Sequence, residues 1–193
     1  MDRFDPVGLP QEAGTVAALL VFPLSHAVRR IIELMYFMAP AYVANMVPPF
    51  LKYWKGWNPP INRRWLGSHK TVLGFTAGVL GGVVTAAIQS HLGWSSDAIA
   101  VRETWLGLGL RFGIGAMAGD AVKSFFKRRA GVPSGQRWVP FDQIDFIVGA
   151  LVLAWPVADL SWLDVVTILL VSALGHIVVN HIGYWLGVRP ARW

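Results

Sequence analysis

The sequence predicts an all-α integral membrane protein with about five transmembrane helices. Of its 193 residues, 54% are hydrophobic and only 15% are charged, whereas soluble domains have about 25% charged residues. The mean hydropathy is +0.48, and several apolar runs approach the roughly 20 residues that cross a bilayer as a helix. The chain is too short for a second sizeable soluble domain, so we expect one polytopic membrane domain over residues 1–193.

The first predicted span is residues 30–51, an apolar run that contains Glu33, Pro40 and Asn45. A shorter apolar run at residues 15–28 precedes it and is interpreted as an interfacial helix, a re-entrant helix or an extension of the first span. The first residues of the chain are acidic rather than basic, which is not typical of a signal peptide.

Four further apolar runs predict the remaining spans. They cover residues 71–92, 104–121, 143–157 and 165–186. The second span has Gly74, Gly78 and Gly82 at four-residue spacing, a pattern that lets membrane helices approach closely. The third span is also rich in glycine. We interpret the glycine faces of these two spans as room for a nucleotide or for lipid chains.

The third span contains Arg111 and is predicted to continue as a basic helix to Arg129. An arginine inside a span is a candidate for function, because a charge is costly in the hydrocarbon core. A glycine- and proline-rich loop is expected to end this helix before the fourth span.

The distribution of cations predicts the orientation of the helices. Lysine and arginine are concentrated in the loops at residues 52–70 and 122–141 and at the C-terminus. Because cytoplasmic loops of membrane proteins are enriched in these cations, both basic loops are predicted to be cytoplasmic. Anchoring in an anionic bilayer leaflet explains the net charge of +6. We expect no nucleic acid partner, since no groove of alternating basic and aromatic residues is evident.

Several classes of chemistry are excluded by residue content. The chain has no cysteine, so disulfides, thiolate metal sites and cysteine nucleophiles are ruled out. A Ser-His-Asp order, a His/Cys metal cluster and a glycine-rich dinucleotide-binding turn are also missing. The candidate residues are instead carboxylates and cations at the cytoplasmic ends of the spans.

Two aspartates, Asp142 and Asp145, stand three residues apart where the fourth span begins. Paired carboxylates at a membrane surface suit Mg²⁺, which takes oxygen ligands and substrate phosphates. The alternatives are that Asp142 caps the fourth helix and that Asp145 pairs with a nearby lysine or arginine. Asp145 lies about one turn into an apolar span, where a carboxylate is costly. Spacing alone favours neither interpretation.

The end of the third span has a second polar face. Residues three and four apart are neighbours on a helix, so Asp120, Lys123, Ser124 and Lys127 share one face. Asp120 is interpreted either as a functional carboxylate or as a charge that the two lysines neutralise. The cations of this stretch are by default lipid anchors: Lys123, Lys127, Arg128, Arg129 and Arg137.

The other basic loop ends in Gly67, Lys70 and Thr71, immediately before the second span. Backbone N–H groups, the positive end of a helix and a lysine make such a turn suitable for phosphate. The glycine spacing is not that of a P-loop. The alternative is a span boundary with a lysine that extends toward the membrane interface.

Together, these motifs resemble the phosphatidate cytidylyltransferase (CDP-diacylglycerol synthase) family. From about Ile32 onward they are more similar to its smaller archaeal relatives, the CDP-archaeol synthases, and residues 1–30 look like an N-terminal extension to that family. The matching segments are Pro40-Ala41-Tyr42-x-Ala44-Asn45, Gly67-x-x-Lys70-Thr71-x-x-Gly74, Gly119-Asp120, Ser124-x-x-Lys127-Arg128, Phe141-Asp142-Gln143-x-Asp145-Phe146 and His176-x-x-x-Asn180. The His-Gly-Gly segment that usually precedes the acidic pair in the diacylglycerol enzymes is replaced by Trp138-Val139-Pro140.

The resemblance implies a Mg²⁺-dependent CTP:lipid-phosphate cytidylyltransferase in the bilayer. Its substrates would be CTP and an ether lipid phosphate with two geranylgeranyl chains, and its products CDP-archaeol and pyrophosphate. The metal ligands would be Asp120, Asp142 and Asp145, and the catalytic residues Lys127, Asp142 and Asp145. The nucleotide contacts would be Asn45, Gly67, Lys70, Thr71, Lys123, Ser124, Lys127 and Arg128. Arg129 and Arg137 would be membrane anchors.

Two other functions fit parts of the sequence. A small transporter or flippase for an anionic lipid typically has internal repeats or polar groups at the midplane of several helices. No convincing repeat is present here, and the charges gather at one interface. A non-catalytic membrane scaffold has no need for an acidic pair opposite a basic helix. The sequence is compatible with a monomer or a homodimer.

Overall fold

The computed structural model describes residues 25–51, 54–92, 99–133, 136 and 138–185. Within these residues the chain forms seven helices, and its only strand-like elements are isolated bridges. The helices are α1 Ser25–Phe37, α2 Ala39–Phe50, α3 Arg63–Leu66, α4 Val72–His91, α5 Trp105–Arg129, α6 Phe141–Ala154 and α7 Trp162–Trp185. The predicted all-α fold is confirmed.

The first predicted span is a bent pair of helices rather than one helix. α1 and α2 meet at Met38 with an angle of 49°. Pro40 stands in the first turn of α2, where a missing N–H is tolerated. The carbonyl of Tyr36, four residues earlier, accepts a hydrogen bond from the Gln89 side-chain amide at 2.6 Å. A side chain of α4 therefore satisfies the acceptor that Pro40 leaves open. The run at residues 15–28 lies outside the described residues, except for 25–28, which belong to α1.

The helices lie where the apolar runs predicted them. Among the described residues, Val72–His91 is by itself long and apolar enough to cross a membrane, and α1 with α2 passes the same test as a bent pair. α6 has only 14 residues, and the apolar part of α7, Trp162–Val178, is shorter than a full span. The number of five spans therefore stays a prediction.

Glycine brings α4, α5 and α6 into backbone contact. A Cβ built on Gly82 would lie 3.0 Å from the Cα of Gly113, which belongs to α5. On the other side of α5, a Cβ built on Gly115 would lie 2.8 Å from the Cα of Ala150 in α6. The interpretation of these glycine faces as room for a nucleotide or lipid chains is wrong at these positions, because neighbouring backbone occupies the space.

Ion pairs fasten the end of the bundle where α1, α5 and α7 begin. Arg30 makes a two-pronged contact with Asp164, with N···O distances of 2.8 and 2.7 Å. Arg111 donates to Glu103 at 3.1 Å and to the carbonyl of Leu153 at 3.2 Å. Arg111 thus joins the start of α5 to the end of α6. These contacts give Arg111, which the sequence marked as a candidate for function, a structural role in joining the two helices.

We expect Gly113→Ala to destabilise the protein by about 1–3 kcal/mol, the usual cost of overpacking. The added Cβ would lie 2.8 Å from the carbonyl oxygen and 2.9 Å from the Cα of Val79, and backbone cannot move aside as a side chain can. Thermal unfolding in detergent measures the change. Gly175→Ala is the matched control, since nothing lies within 4 Å of its added Cβ. Equal stability of the two variants would contradict the close α4–α5 contact.

Candidate active site

Six charged side chains meet at the end of the bundle where α4 and α6 begin and α5 ends. We call them the carboxylate–lysine cluster: Asp120, Asp142, Asp145, Lys70, Lys123 and Lys127. The turn before α4, the last part of α5 and the first turns of α6 each contribute to it. All six were site candidates in the sequence, and the structure brings all of them together.

The ammonium group of Lys123 is at the centre of the cluster. Its Nζ lies 2.7 Å from Oδ1 of Asp142, 2.9 Å from Oδ2 of Asp145 and 3.4 Å from Oδ1 of Asp120. The three carboxylates therefore converge on one point, which this ammonium fills.

The two other lysines each neutralise one carboxylate from the edge of the cluster. Lys127 Nζ lies 3.2 Å from Oδ2 of Asp142, and Lys70 pairs with Asp120. Three carboxylates and three ammonium groups balance in formal charge. The pairing of Asp120 with Lys123 matches the neutralising interpretation, but Lys127 pairs with Asp142 rather than with Asp120.

Burial strengthens the attraction between these charges and makes the loss of either partner costly. The side chains of Asp145 and Lys127 are only 5% and 8% exposed. Burial alone lowers the pKa of Lys123, but the charges of Asp120 and Asp145 and the hydrogen bond to Asp142 outweigh it. The pKa of Lys123, which lies beyond the third predicted span, is therefore above its usual range.

Asp142 is held in place from two sides. α6 begins at Phe141 without a side-chain cap, so the interpretation of Asp142 as an N-cap is wrong. The backbone N–H of Trp138 donates to its Oδ2 at 2.5 Å, and a carboxylate in a first helical turn also interacts favourably with the helix dipole. Burial raises the pKa of Asp142, but hydrogen bonds from Lys123 and Trp138 outweigh it, and the net pKa is below the ordinary range.

The turn before α4 presents Lys70 to the cluster. Gly67 has a φ of 87°, a left-handed conformation that favours glycine. Thr71 caps α4 by accepting the N–H of Gly74 at 3.1 Å. The Ile61 N–H donates to the Lys70 carbonyl at 2.8 Å and closes the loop. Because Lys70 pairs with Asp120, the alternative that it extends to the membrane interface is wrong.

Some predicted nucleotide contacts lie beside the cluster rather than in it. Ser124 is buried, and its hydroxyl donates to the backbone carbonyl of Asp120 at 2.8 Å. Asn45 lies within α2, and its side chain makes no hydrogen bond to the part of the chain that the structure describes. His176 lies in α7, but the side chain of Asn180 and all of Arg137 fall outside the described residues. The nucleotide-binding roles stay predictions.

Arg128 borders a separate cleft of about 330 Å³. The cleft is lined by Arg64, Trp65, Phe125, Arg128 and Arg129. Of these five residues, sequence reasoning placed only Arg128 near a site. The available signal was a basic pair followed by tryptophan in one of the two basic loops and a Phe-Phe-Lys-Arg-Arg run at the start of the other.

The donor set of the cluster fits a hard divalent cation, because three carboxylates converge on one point. The Lys123 ammonium occupies that point. As the side chains stand, no group of three or more acidic or histidine residues among the described residues is arranged to hold a metal ion. A metal ion at this point requires the Lys123 side chain to withdraw.

The helical fold with a buried ionic cluster at one end is that of an all-α membrane enzyme, and comparison with known proteins agrees. The model of the family "CarS-like: CDP-archaeol synthase" matches residues 27–193. The chain belongs to this family. The prediction of a transferase of archaeal membrane lipid biosynthesis is thereby confirmed at the level of the family.

Individual relatives show the same likeness over most of the chain. The CDP-archaeol synthase of Methanospirillum hungatei is 36% identical over 166 residues, which cover 81% of this chain and 100% of the relative. That of Methanopyrus kandleri is 37% identical over 171 residues, 82% of this chain and 91% of the relative. A solved structure of an intramembrane enzyme for archaeal membrane lipid biosynthesis has a TM-score of 0.60 and 27% identity, covering 78% of this chain and 94% of that one.

The lowered pKa of Asp142 predicts an acid-sensitive contribution to stability. This contribution is fully present above the ordinary carboxyl pKa of about 3.9 and disappears as the pH falls through the lower value of the folded state. We expect Asp142→Asn to lower the melting temperature at neutral pH, with a smaller deficit at acidic pH. Asp159→Asn is the control, since this exposed carboxylate has no ion pair with a described residue. A deficit that does not change with pH would contradict the assignment.

Proposed function

We propose that the chain transfers the cytidylyl group of CTP to an archaeal ether lipid phosphate and releases pyrophosphate. The proposed acceptor is unsaturated archaetidic acid, 2,3-bis-O-geranylgeranylglycerol 1-phosphate, and the product is CDP-archaeol. The carboxylate–lysine cluster is the observation that carries the proposal, since its buried acidic and basic groups suit a polyphosphate and its counter-ion. The names of the relatives supply the substrate class.

The reaction is an in-line displacement at the α-phosphorus of CTP. An oxygen of the lipid phosphate forms the new bond to this phosphorus, and the bond to the bridging oxygen of the leaving pyrophosphate breaks. A phosphate monoester is already mostly ionised near neutral pH, since its second pKa is about 6, so no strong general base is needed. Positioning and charge neutralisation then provide most of the catalysis.

The residues of the cluster divide these tasks. Asp120, Asp142 and Asp145 would hold Mg²⁺, which when bound neutralises charge on the triphosphate and on the leaving group. Binding of Mg²⁺ would require the Lys123 ammonium to leave the central point. The ammonium could then pair with the phosphates of the bound substrate. Lys127 keeps Asp142 oriented from the other side, and Lys70 does the same for Asp120.

The cluster is proposed to face the cytoplasm, where CTP is available. It adjoins both predicted cytoplasmic loops, because Lys70 ends one and the basic end of α5 begins the other. The ion pair of Arg30 with Asp164 lies at the opposite end of the bundle, where α7 begins. The lipid chains would stay in the bilayer while the phosphate reaches the cluster at its surface.

Asp145→Asn should abolish formation of the CDP-lipid, because the amide keeps the shape of the side chain but loses the charge that binds a cation. Purified protein would be incubated with radiolabelled CTP, Mg²⁺ and the lipid phosphate, and labelled lipid would be counted. Size-exclusion chromatography checks that the variant is still folded, and Asp159→Asn, at an exposed position, serves as the charge-matched control. Near-wild-type activity of Asp145→Asn would refute the metal assignment.

The lipid acceptor can be tested with matched phosphates. We expect kcat/KM to be at least about tenfold higher for the geranylgeranyl ether lipid phosphate than for a diacyl lipid phosphate of similar length. The loss of a single matched contact between an enzyme and its substrate typically lowers kcat/KM by about tenfold or more. Pyrophosphate and labelled lipid should appear in equal amounts. Equal kcat/KM for the two lipids would overturn the proposed acceptor. Movement of the lipid across vesicles without any labelled product would favour the transporter instead.

A further inference from the structure

The arginine cleft is built by two segments that lie far apart in the sequence. α3 supplies Arg64 and Trp65, and the last two turns of α5 supply Phe125, Arg128 and Arg129. The rings of Trp65 and Phe125 pack edge to face at 6.3 Å, which fixes the two walls relative to each other. The cleft adjoins the carboxylate–lysine cluster near the end of α5. Lys127 belongs to the cluster, and the next residue, Arg128, lines the cleft.

The cleft differs from the cluster in charge. Every lysine of the cluster is paired with a carboxylate. In contrast, none of Arg64, Arg128 and Arg129 forms an ion pair with a residue that the structure describes. The cleft thus holds three positive charges without an internal counter-ion. An anion that approaches this end of the bundle will be drawn to the arginines first, because the charges of the lysines are already compensated.

Two details indicate that the arginines are positioned to bind a ligand in the cleft. The Nε of Arg128 is buried and makes no hydrogen bond to any described residue. Buried donors without an acceptor are rare and costly, so an acceptor beyond the described residues, such as a ligand oxygen, is expected there. The guanidinium carbon of Arg129 lies 5.2 Å from the centre of the Phe125 ring. Such stacking holds a guanidinium in a fixed plane while its N–H groups stay free to donate.

We propose that this cleft is a phosphate-binding site that receives the phosphate groups of a substrate beside the carboxylate–lysine cluster. Planar guanidinium groups bind phosphate oxygens in a bidentate manner, and three of them around about 330 Å³ can surround more than one phosphate. Trp65 and Phe125 provide apolar walls for the part of the ligand next to the phosphates. Arg129 is then a ligand-binding residue and not the membrane anchor that the sequence suggested.

This inference rests on the proposed function for the identity of the substrate, but it can be tested without turnover. The phosphates come from one of two sources: the pyrophosphate end of a nucleotide or the headgroup of a lipid phosphate. The first arm uses inorganic pyrophosphate with the full chain in detergent, in metal-free buffer and without lipid substrate. Isothermal titration calorimetry measures the affinity at two salt concentrations.

Arg64→Gln and Arg129→Gln should each weaken pyrophosphate binding by about tenfold and reduce its dependence on salt, since each removes one charge-assisted contact. Arg63→Gln is the matched control, because Arg63 is a neighbouring exposed arginine of α3 that does not line the cleft. It should change the affinity by less than about twofold. Equal weakening by all three variants would overturn the proposal in favour of a diffuse electrostatic effect.

The second arm uses nanodiscs of a zwitterionic lipid that contain either phosphatidic acid or diacylglycerol. If the cleft takes the lipid headgroup, Arg64→Gln and Arg129→Gln weaken the binding of phosphatidic acid and leave that of pyrophosphate unchanged. If the two variants bind both pyrophosphate and phosphatidic acid as tightly as the wild-type protein does, the proposal is overturned. In wild-type protein, the favoured probe should also protect Arg64 and Arg129, but not Arg63, from phenylglyoxal as mapped by mass spectrometry. This readout does not depend on the folding of variants or on catalysis, so a failed cytidylyltransferase assay would leave it interpretable.

Discussion

The close contact between α5 and α6 is the constraint on which the site depends. Gly115 and Gly119 on α5 face Gly149 on α6, and a side chain at any of them would collide with the backbone of the opposite helix. A Cβ on Gly119 would strike the carbonyl oxygen of Asp145 itself. Because the two backbones touch at this level, the carboxylate of Asp145 reaches Lys123 one turn further along α5. With any larger residue at these positions the helices would separate and the cluster would open.

Charge compensation follows from this packing. Six charged groups sit between the helices with only 5–26% of each side chain exposed, and charges that are buried to this extent are tolerated when they are paired. The three aspartates share the Lys123 ammonium, and Lys70 and Lys127 complete the balance. The cluster is therefore stable without a bound ion, and any cation that enters must replace the contacts that Lys123 makes. Under the proposed function, cation binding would therefore be coupled to the release of the Lys123 side chain toward an anionic substrate.

The neighbouring arginines give the same end of the bundle a second electrostatic character. Lys127 points to Asp142, whereas Arg128, the next residue, lines a cleft to which no described residue contributes a carboxylate. A polyphosphate bound across this boundary would meet carboxylates with their cations on one side and uncompensated guanidinium groups on the other. This division between lysine and arginine matches their chemistry, since arginine cannot be deprotonated and binds phosphate with a planar fork.

The sequence by itself determined the helices and the membership of the cluster. Apolar runs with clear polar borders marked α4, α5, α6 and α7. The second span was predicted to begin at Thr71, and this residue caps α4 through its own side chain. Helical spacing and family resemblance selected Asp120, Lys127 and Asp145. Such features depend on residues within one or two turns, which is the range over which a sequence pattern acts.

Only the tertiary structure decided how these parts face one another. It showed that neighbouring backbones fill the glycine faces, that Lys123 rather than Lys127 is central, and that Arg64 and Arg129 share a cleft. Each of these depends on contacts between helices that are distant in the sequence. A glycine stripe looks the same whether a ligand or another helix lies against it, and a basic pair looks the same whether it faces lipid or a cleft. Packing between helices sets that difference, and no local pattern encodes it.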